Sequence, residues 1–205
     1  MAISYPISLP GPAPAQMEFG AQTVAGKSVS PYTLSQETFE WPGNRWLASV
    51  RYARMTRAEG DALAAALVSL SALGTFLLGP AGAGKTAKGV ATGTPLVNGA
   101  AQTGKSMVTD GWTASQAGIL KAGDYLQVGS GSTSRLYMNL TDVNSDAGGN
   151  ATLDLWPRLR ESPADNAAIV VSSPKGLFRL KTPLAKWEID AAYTLGLSFE
   201  AEEAF

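Results

Sequence analysis

Two stretches of this 205-residue chain fit the spacing G-x-x-x-x-G-K-[ST], in which a glycine-rich loop cradles phosphates and a lysine neutralises them. One runs from Gly79 to Thr86 and includes Gly84 and Lys85; the other runs from Gly99 to Ser106 and includes Gly104 and Lys105. The chemistry needs more than the letters, because backbone N–H groups and the dipole of a helix starting at the Lys-Ser/Thr pair must both face the phosphates. After Thr86 come Gly89, Gly93 and Pro95, and after Ser106 comes Gly111, all where a helix is required. Both segments therefore read as glycine-rich turns with exposed lysines, and no helix is expected behind Lys85 or Lys105.

The run from Asp142 to Asn150 spaces oxygen ligands (Asp142, Asn144, Asp146, Asn150) like a calcium loop. It carries Ala147 where that loop has glycine and Leu153 where it has a bidentate glutamate. An Asx-rich turn accounts for the same residues without a metal. Asp154 and Glu161 do not form a recognisable glycosidase pair, and Glu200, Glu202 and Glu203 read as a solvated terminus. Trp41, Trp46, Trp112, Trp156 and Trp187 suit core or interface anchors better than a sugar-binding groove. Histidine and cysteine are absent, which excludes Ser-His-Asp and Cys-His nucleophiles, structural zinc sites and disulfides. A net charge of -1 provides no surplus for gripping a phosphate backbone. The expectation is a non-enzyme with no catalytic, cofactor-binding or metal-ligating residues and no cofactor.

The elements around these segments are mainly short strands. Pro6, Pro10, Pro12 and Pro14 make the first thirty residues loop-rich, an arm that either hugs its own domain or reaches to a neighbour. From Tyr32 the chain alternates, and a hairpin is expected with its turn at Pro42-Gly43-Asn44. Its second strand places Trp46, Ala48, Val50 and Tyr52 on one face, with Arg45, Ser49 and Arg51 among the opposite set. Thr56 and Glu59 form a capping box ahead of a helix over Ala58 to Leu70, striped by Leu63, Leu67 and Leu70 and stopping near Gly74. A strand follows at Thr75 to Leu78. Beyond Gly79 the composition shifts, and strands are expected at Gly89 to Thr92, Ile119 to Gly129, Ser134 to Leu140, Asn150 to Trp156 and Ala167 to Ser172. The chain closes with GLFRL and one long strand from Trp187 to Glu202 that includes Ala191 and Tyr193. Residues 1–78 and 174–205 are read as one discontinuous β-sandwich-like domain with a helix, and 79–173 as an inserted small β-barrel-like module. Met1 to Pro14 has neither the charge nor the apolar run of a signal peptide, and the stretch Leu63 to Leu78 is too short and interrupted to cross a bilayer, so a soluble protein made in the cytoplasm is expected.

The segments SQETFEWPGNRW, MTRAEGDAL, TFLLG, TGTPLVNGA, GILKAGDYLQVGSG, RLYMNLTDVNSDAGGNATLDLWPRLR and SPKGLFRL, in this order, resemble short distal tail proteins of siphophages and phage-derived particles. The resemblance spans about Tyr32 to Phe199. It implies a ring, in that family a homohexamer, at the virion tail tip, assembled in the host cytoplasm. Such a ring would join the tail tube protein to the tail-tip hub protein and leave a channel through which tape-measure protein and DNA pass without specific binding. Ring contacts would fall on Tyr32 to Arg54 and Trp187 to Glu200, and no catalytic residues are implied. A carbohydrate-binding module acting through the inserted β-module is the alternative.

Overall fold

The computed structural model describes residues 3–80, 86–182, 186–189 and 195–205. In chain order the elements are β1 (Ile7–Ser8), β2 (Gln16–Val29), β3 (Gln36–Met55), α1 (Arg57–Leu70), β4 (Phe76–Leu78), β5 (Gly93–Val97), β6 (Gly104–Trp112), β7 (Tyr125–Val128), a 3₁₀ turn (Gly131–Thr133), β8 (Arg135–Asn139), β9 (Ala151–Leu159), β10 (Ile169–Val170), β11 (Gly176–Leu180), β12 (Lys186–Ile189) and β13 (Leu195–Glu203). The protein is mainly β, with one α-helix among the described residues. No helix among them is long and apolar enough to cross a membrane.

The strands sort into two sheets. The first has seven strands in the order β1-β4-β11-β13-β3-β2, with β12 pairing off the side of β13. The second has six, in the order β10-β7-β8-β9-β6-β5. Its ends approach each other: Leu96 bridges Ala168, and the backbone of Val97 exchanges hydrogen bonds with Ala167 and Asn166 just before β10. The second sheet is thus a nearly closed small barrel, which leaves little free strand edge. Strands from 7–78 and 176–203 make the first sheet, and strands from 93–170 make the barrel.

Alternation explains both cores. In β3, Trp46, Ala48, Val50 and Tyr52 are buried, whereas Ser49 and Arg51 face solvent. In β9, Ala151, Leu153, Leu155 and Leu159 point into the barrel while Thr152 and Asp154 point out. The helix lays Leu63, Leu67 and Leu70 on the buried face of the first sheet, each contributing about 1.5–3 kcal/mol on burial. Its start is fixed by the Glu59 carboxylate, which accepts hydrogen bonds from the Thr56 backbone N–H at 3.1 Å and the Thr56 hydroxyl at 2.7 Å. The helix itself ends at Leu70, and a turn carries the chain on to Gly74.

The barrel docks its outer wall beside the helix on the same face of the first sheet. Outward-pointing Leu136, Tyr125, Met138 and Trp156 join the first sheet's core. At the centre of the seam Trp46 meets Trp156 edge-to-face at 4.3 Å, with Phe19 and Tyr125 packed around it, and its indole N–H donates to the buried Leu136 carbonyl at 2.9 Å.

Four expectations need correction. The hairpin does not turn at Pro42-Gly43-Asn44: β3 runs straight through these residues and pairs with β2, and the turn lies at Ser30 to Ser35. Proline and glycine are accommodated there by a bulge, the register shifting between Thr23–Asn44 and Ala25–Glu40. The first thirty residues are less loop-rich than their prolines suggest, because β2 occupies fourteen of them and β1 pairs in parallel with β4, so the proline segment hugs its own sheet. The last strand is not continuous. β12 folds back antiparallel on β13, Trp187 opposite Leu197, while Ala191 and Tyr193 lie outside the described residues. Finally, Gly89 to Thr92 is not a strand, whereas Gly93–Val97 and Gly104–Trp112 are. Gly93 and Gly111 both have positive φ where these strands cross, and a side chain on either would strike the other segment's backbone oxygen.

Candidate interaction surface

The second phosphate-loop pattern has become sheet. Lys105 and Ser106 lie within β6, Ser106 opposite Asp154 of β9, where a nucleotide site requires a helix to begin. Lys105 is thus on a strand rather than a loop, and its ammonium sits 2.9 Å from both carboxylate oxygens of Glu40. The Gly99 N–H, one of the amides a phosphate would use, donates to the Asp165 carboxylate at 2.7 Å. Of the first pattern, residues 81–85, including Gly84 and Lys85, lie outside the described residues. Thr86 forms a β-bridge with Ser172, and the next amides, Lys88 and Gly89, donate to the buried Asp124 carboxylate at 2.7 and 3.0 Å. A third backbone donor, Lys121, reaches the same carboxylate at 2.8 Å. A carboxylate therefore holds amides in both regions.

The calcium-like run has its oxygens engaged by bonds within the run and by bonds to residues 118–122. Asp146 accepts from the backbones of Gly148 and Asn150 and from the Asn150 amide, bonds that hold its carboxyl below the usual range. Asn144 accepts from the Gly118 N–H, and Asp142 pairs with Lys121 at 2.8 Å. The Asp146 bonds are those of an Asx turn. Among the described residues, no group of three or more acidic side chains is placed to hold a metal ion.

The acidic C-terminal segment departs from a simple solvated end. Glu200 pairs with Lys181 and Glu202 with Arg45 on the open face of the sheet. Glu203, by contrast, is 4% exposed. Its carboxylate accepts the Trp46 backbone N–H at 3.1 Å and lies 4.0 Å from the Arg160 guanidinium. Burial raises its pKa to about 6 against the pull of these donors. Glu161 stands 3.7 Å from Arg135, and Asp154 accepts the Thr141 hydroxyl at 3.4 Å, so each has its own partner. The tryptophans divide: Trp46 and Trp112 are buried and Trp156 packs on the first core, while Trp41 and Trp187 are exposed on different strands.

The feature that stands out is an arm. Beyond Leu47, β3 leaves its ladder with β13, and residues 36–44 pair through their backbone with β2 alone among the described strands, braced on one face by the Lys105–Glu40 ion pair to β6. At 3.4 Å per residue, residues 36–44 extend over about 27 Å of strand. Register assigns its faces. Ala25 and Glu40 pair on the side toward the barrel, where Lys105 holds the Glu40 carboxyl below its ordinary pKa. Gly26 and Phe39 pair on the outer side, with Val24 and Trp41 two residues away on their strands. The Trp41 indole lies over Gly26, so that a Cβ there would come within 3.3 Å of its nitrogen. Phe39 and Trp41 are 53% and 59% exposed, and the turn adds Tyr32 at 94% and Leu34 at 72%. On the body of the sheet the same face is polar, with Gln16, Glu18, Ser49, Arg51 and Ser198. Aromatic side chains are therefore concentrated where the strand pair has least support of its own. Sequence reading missed the arm because the Pro42-Gly43 signal suggested a turn. The clue in the sequence was Phe39 and Trp41 alternating with Glu and Thr.

Compared with known proteins, the chain matches no protein-family model and no curated protein.

Proposed function

We propose that this protein is a non-enzymatic structural subunit that assembles with its own copies into a ring at the distal end of a phage-type tail. The ring, expected to be a homohexamer, would join tail tube protein to tail-tip hub protein and leave an axial channel for tape-measure protein and DNA. It would act at the virion tail tip after assembly in the host cytoplasm.

The arm is the observation that carries this reading. An isolated two-stranded hairpin is marginal in water, and one that presents Phe39, Trp41, Tyr32 and Leu34 to solvent gains stability when a neighbour covers them. Large aromatic side chains are the usual anchors of such contacts. The resemblance of segment order to distal tail proteins supplies the tail-end setting. A mixed-charge face, with Arg45–Glu202 and Lys181–Glu200 paired across it, fits a channel or ring surface that nucleic acid passes without binding.

The test is light scattering after size exclusion, with negative-stain images of the same fraction, on the wild-type protein and on a Phe39→Ser/Trp41→Ser variant. Open-centred rings of six that the double variant no longer forms are the expected result. A wild-type protein that stays monomeric at all concentrations, and also in the presence of a tail tube, would overturn the proposal.

A further inference from the structure

Glu203 occupies an unusual place. It is the last strand residue of the first sheet, yet its side chain points into the seam with the barrel, and the barrel supplies most of what surrounds it. From β8 come Arg135 and the buried Tyr137, and from the end of β9 comes Arg160, whose guanidinium stacks 3.4 Å from the Phe205 ring centroid. Glu161 is held by Arg135 at 3.7 Å. From β3 the Trp46 N–H is the direct donor, and Arg45 lies across the sheet on Glu202. From β11, Arg179 stands opposite Glu202, on that same far face. A carboxylate with one backbone donor and a guanidinium at 4.0 Å is incompletely compensated at 4% exposure.

We propose that Glu203 is a proton-sensitive clasp between the first sheet and the barrel: protonated, it lets the barrel seat fully against the Trp46 end of β3, and ionised, it favours local opening of that seam. Opening returns Glu203 to water and to its ordinary titration, so the clasp has a defined sign. The folded-state pKa, about 6, lies above the ordinary glutamate value of 4.5. Stability from this group is therefore fully present below about 4.5 and is lost as pH rises through about 6. The barrel is held most firmly in mild acid and less firmly at neutrality. Linkage between these two values makes the seam's opening constant about eightfold larger at pH 7.5 than at pH 5.

The experiment is hydrogen exchange read by mass spectrometry on the full chain at pH 5 to 7.5, with rates corrected for intrinsic base catalysis. Peptides covering 44–48, 134–139 and 156–161 report the seam; peptides covering 62–68 on α1 report the rest of the fold. The expected result is an opening constant at the seam that rises about eightfold over this range in wild type, stays flat in Glu203→Gln and still rises in Glu202→Gln, with α1 unaffected. A flat wild-type profile would overturn the proposal, and this reading needs no variant to fold. A rise that persists unchanged in Glu203→Gln would overturn it equally, by assigning the proton to another group.

Discussion

Trp46→Phe tests whether the seam couples the two sheets. The indole N–H donates to the Leu136 carbonyl at 2.9 Å, and Leu136 is fully buried. A phenyl ring cannot replace that bond, and an orphaned buried acceptor costs about 1–3 kcal/mol. The smaller ring also gives up part of the edge-to-face packing on Trp156 at 4.3 Å and Phe19 at 5.9 Å; the lost contact and apolar area add about 1 kcal/mol. The expected destabilisation is about 2–4 kcal/mol. For a chain of this size, each 1 kcal/mol corresponds to about 2–4 °C in melting temperature. Urea unfolding followed in parallel by far-UV circular dichroism and by intrinsic fluorescence is the assay. Because Trp46 belongs to the first sheet and its acceptor to the barrel, the two probes should shift together to lower urea. A loss below about 0.5 kcal/mol, or a shift confined to one probe, would refute the claim that this side chain ties the sheets into one cooperative unit.

Other outcomes follow from the same geometry. Asp124→Ala releases three backbone N–H donors at Lys88, Gly89 and Lys121; a loss of about 2–4 kcal/mol is expected in denaturant titration, with early exchange of the 87–91 amides. Thr56→Ala removes the threonine hydroxyl from the α1 capping box and should cost about 1 kcal/mol by thermal unfolding. Phe39→Ser/Trp41→Ser should leave the melting temperature of the isolated subunit within a few degrees while abolishing self-assembly, since both side chains are exposed on the arm. Lys105→Ala should leave nucleotide retention at background in an equilibrium-dialysis assay, as in wild type, because Lys105 sits on β6 against Glu40.

Local rules carried most of the framework. Alternation located the buried face of β3 and the strands β7, β8 and β9, because every second residue of each faces one core. Capping chemistry located α1. Reading failed where two local signals competed. Pro42-Gly43 is turn-forming in isolation, yet the flanking strand pairs with β2 on both sides of it, so long-range ladder bonds absorb it as a bulge. Trp187 to Glu202 alternates throughout and so looks like one strand, but alternation does not reveal that residues 186–189 fold back to pair with 195–198. Lys105 and Ser106 were hidden within a glycine-rich texture, although Met107, Thr109 and Trp112 face inward from the same strand. Glu203 looked like its acidic neighbours because charge says nothing about which face of a strand a residue occupies.

The course of β3 gives the molecule a mechanical property. One unbroken strand passes from the tip of the arm, through the bulge, to the residues that lie under both the helix and the barrel. A tug along the arm runs parallel to its ladder with β2, so the many hydrogen bonds of that pair share the load side by side instead of parting one after another. Trp41, on the arm, and Trp46, in the seam, are five residues apart on this strand, with only the bulge as a compliant joint between them. Whatever grips the arm therefore pulls on a stiff rod whose other end is embedded in the core, and displacement at the periphery arrives at the junction of the two sheets.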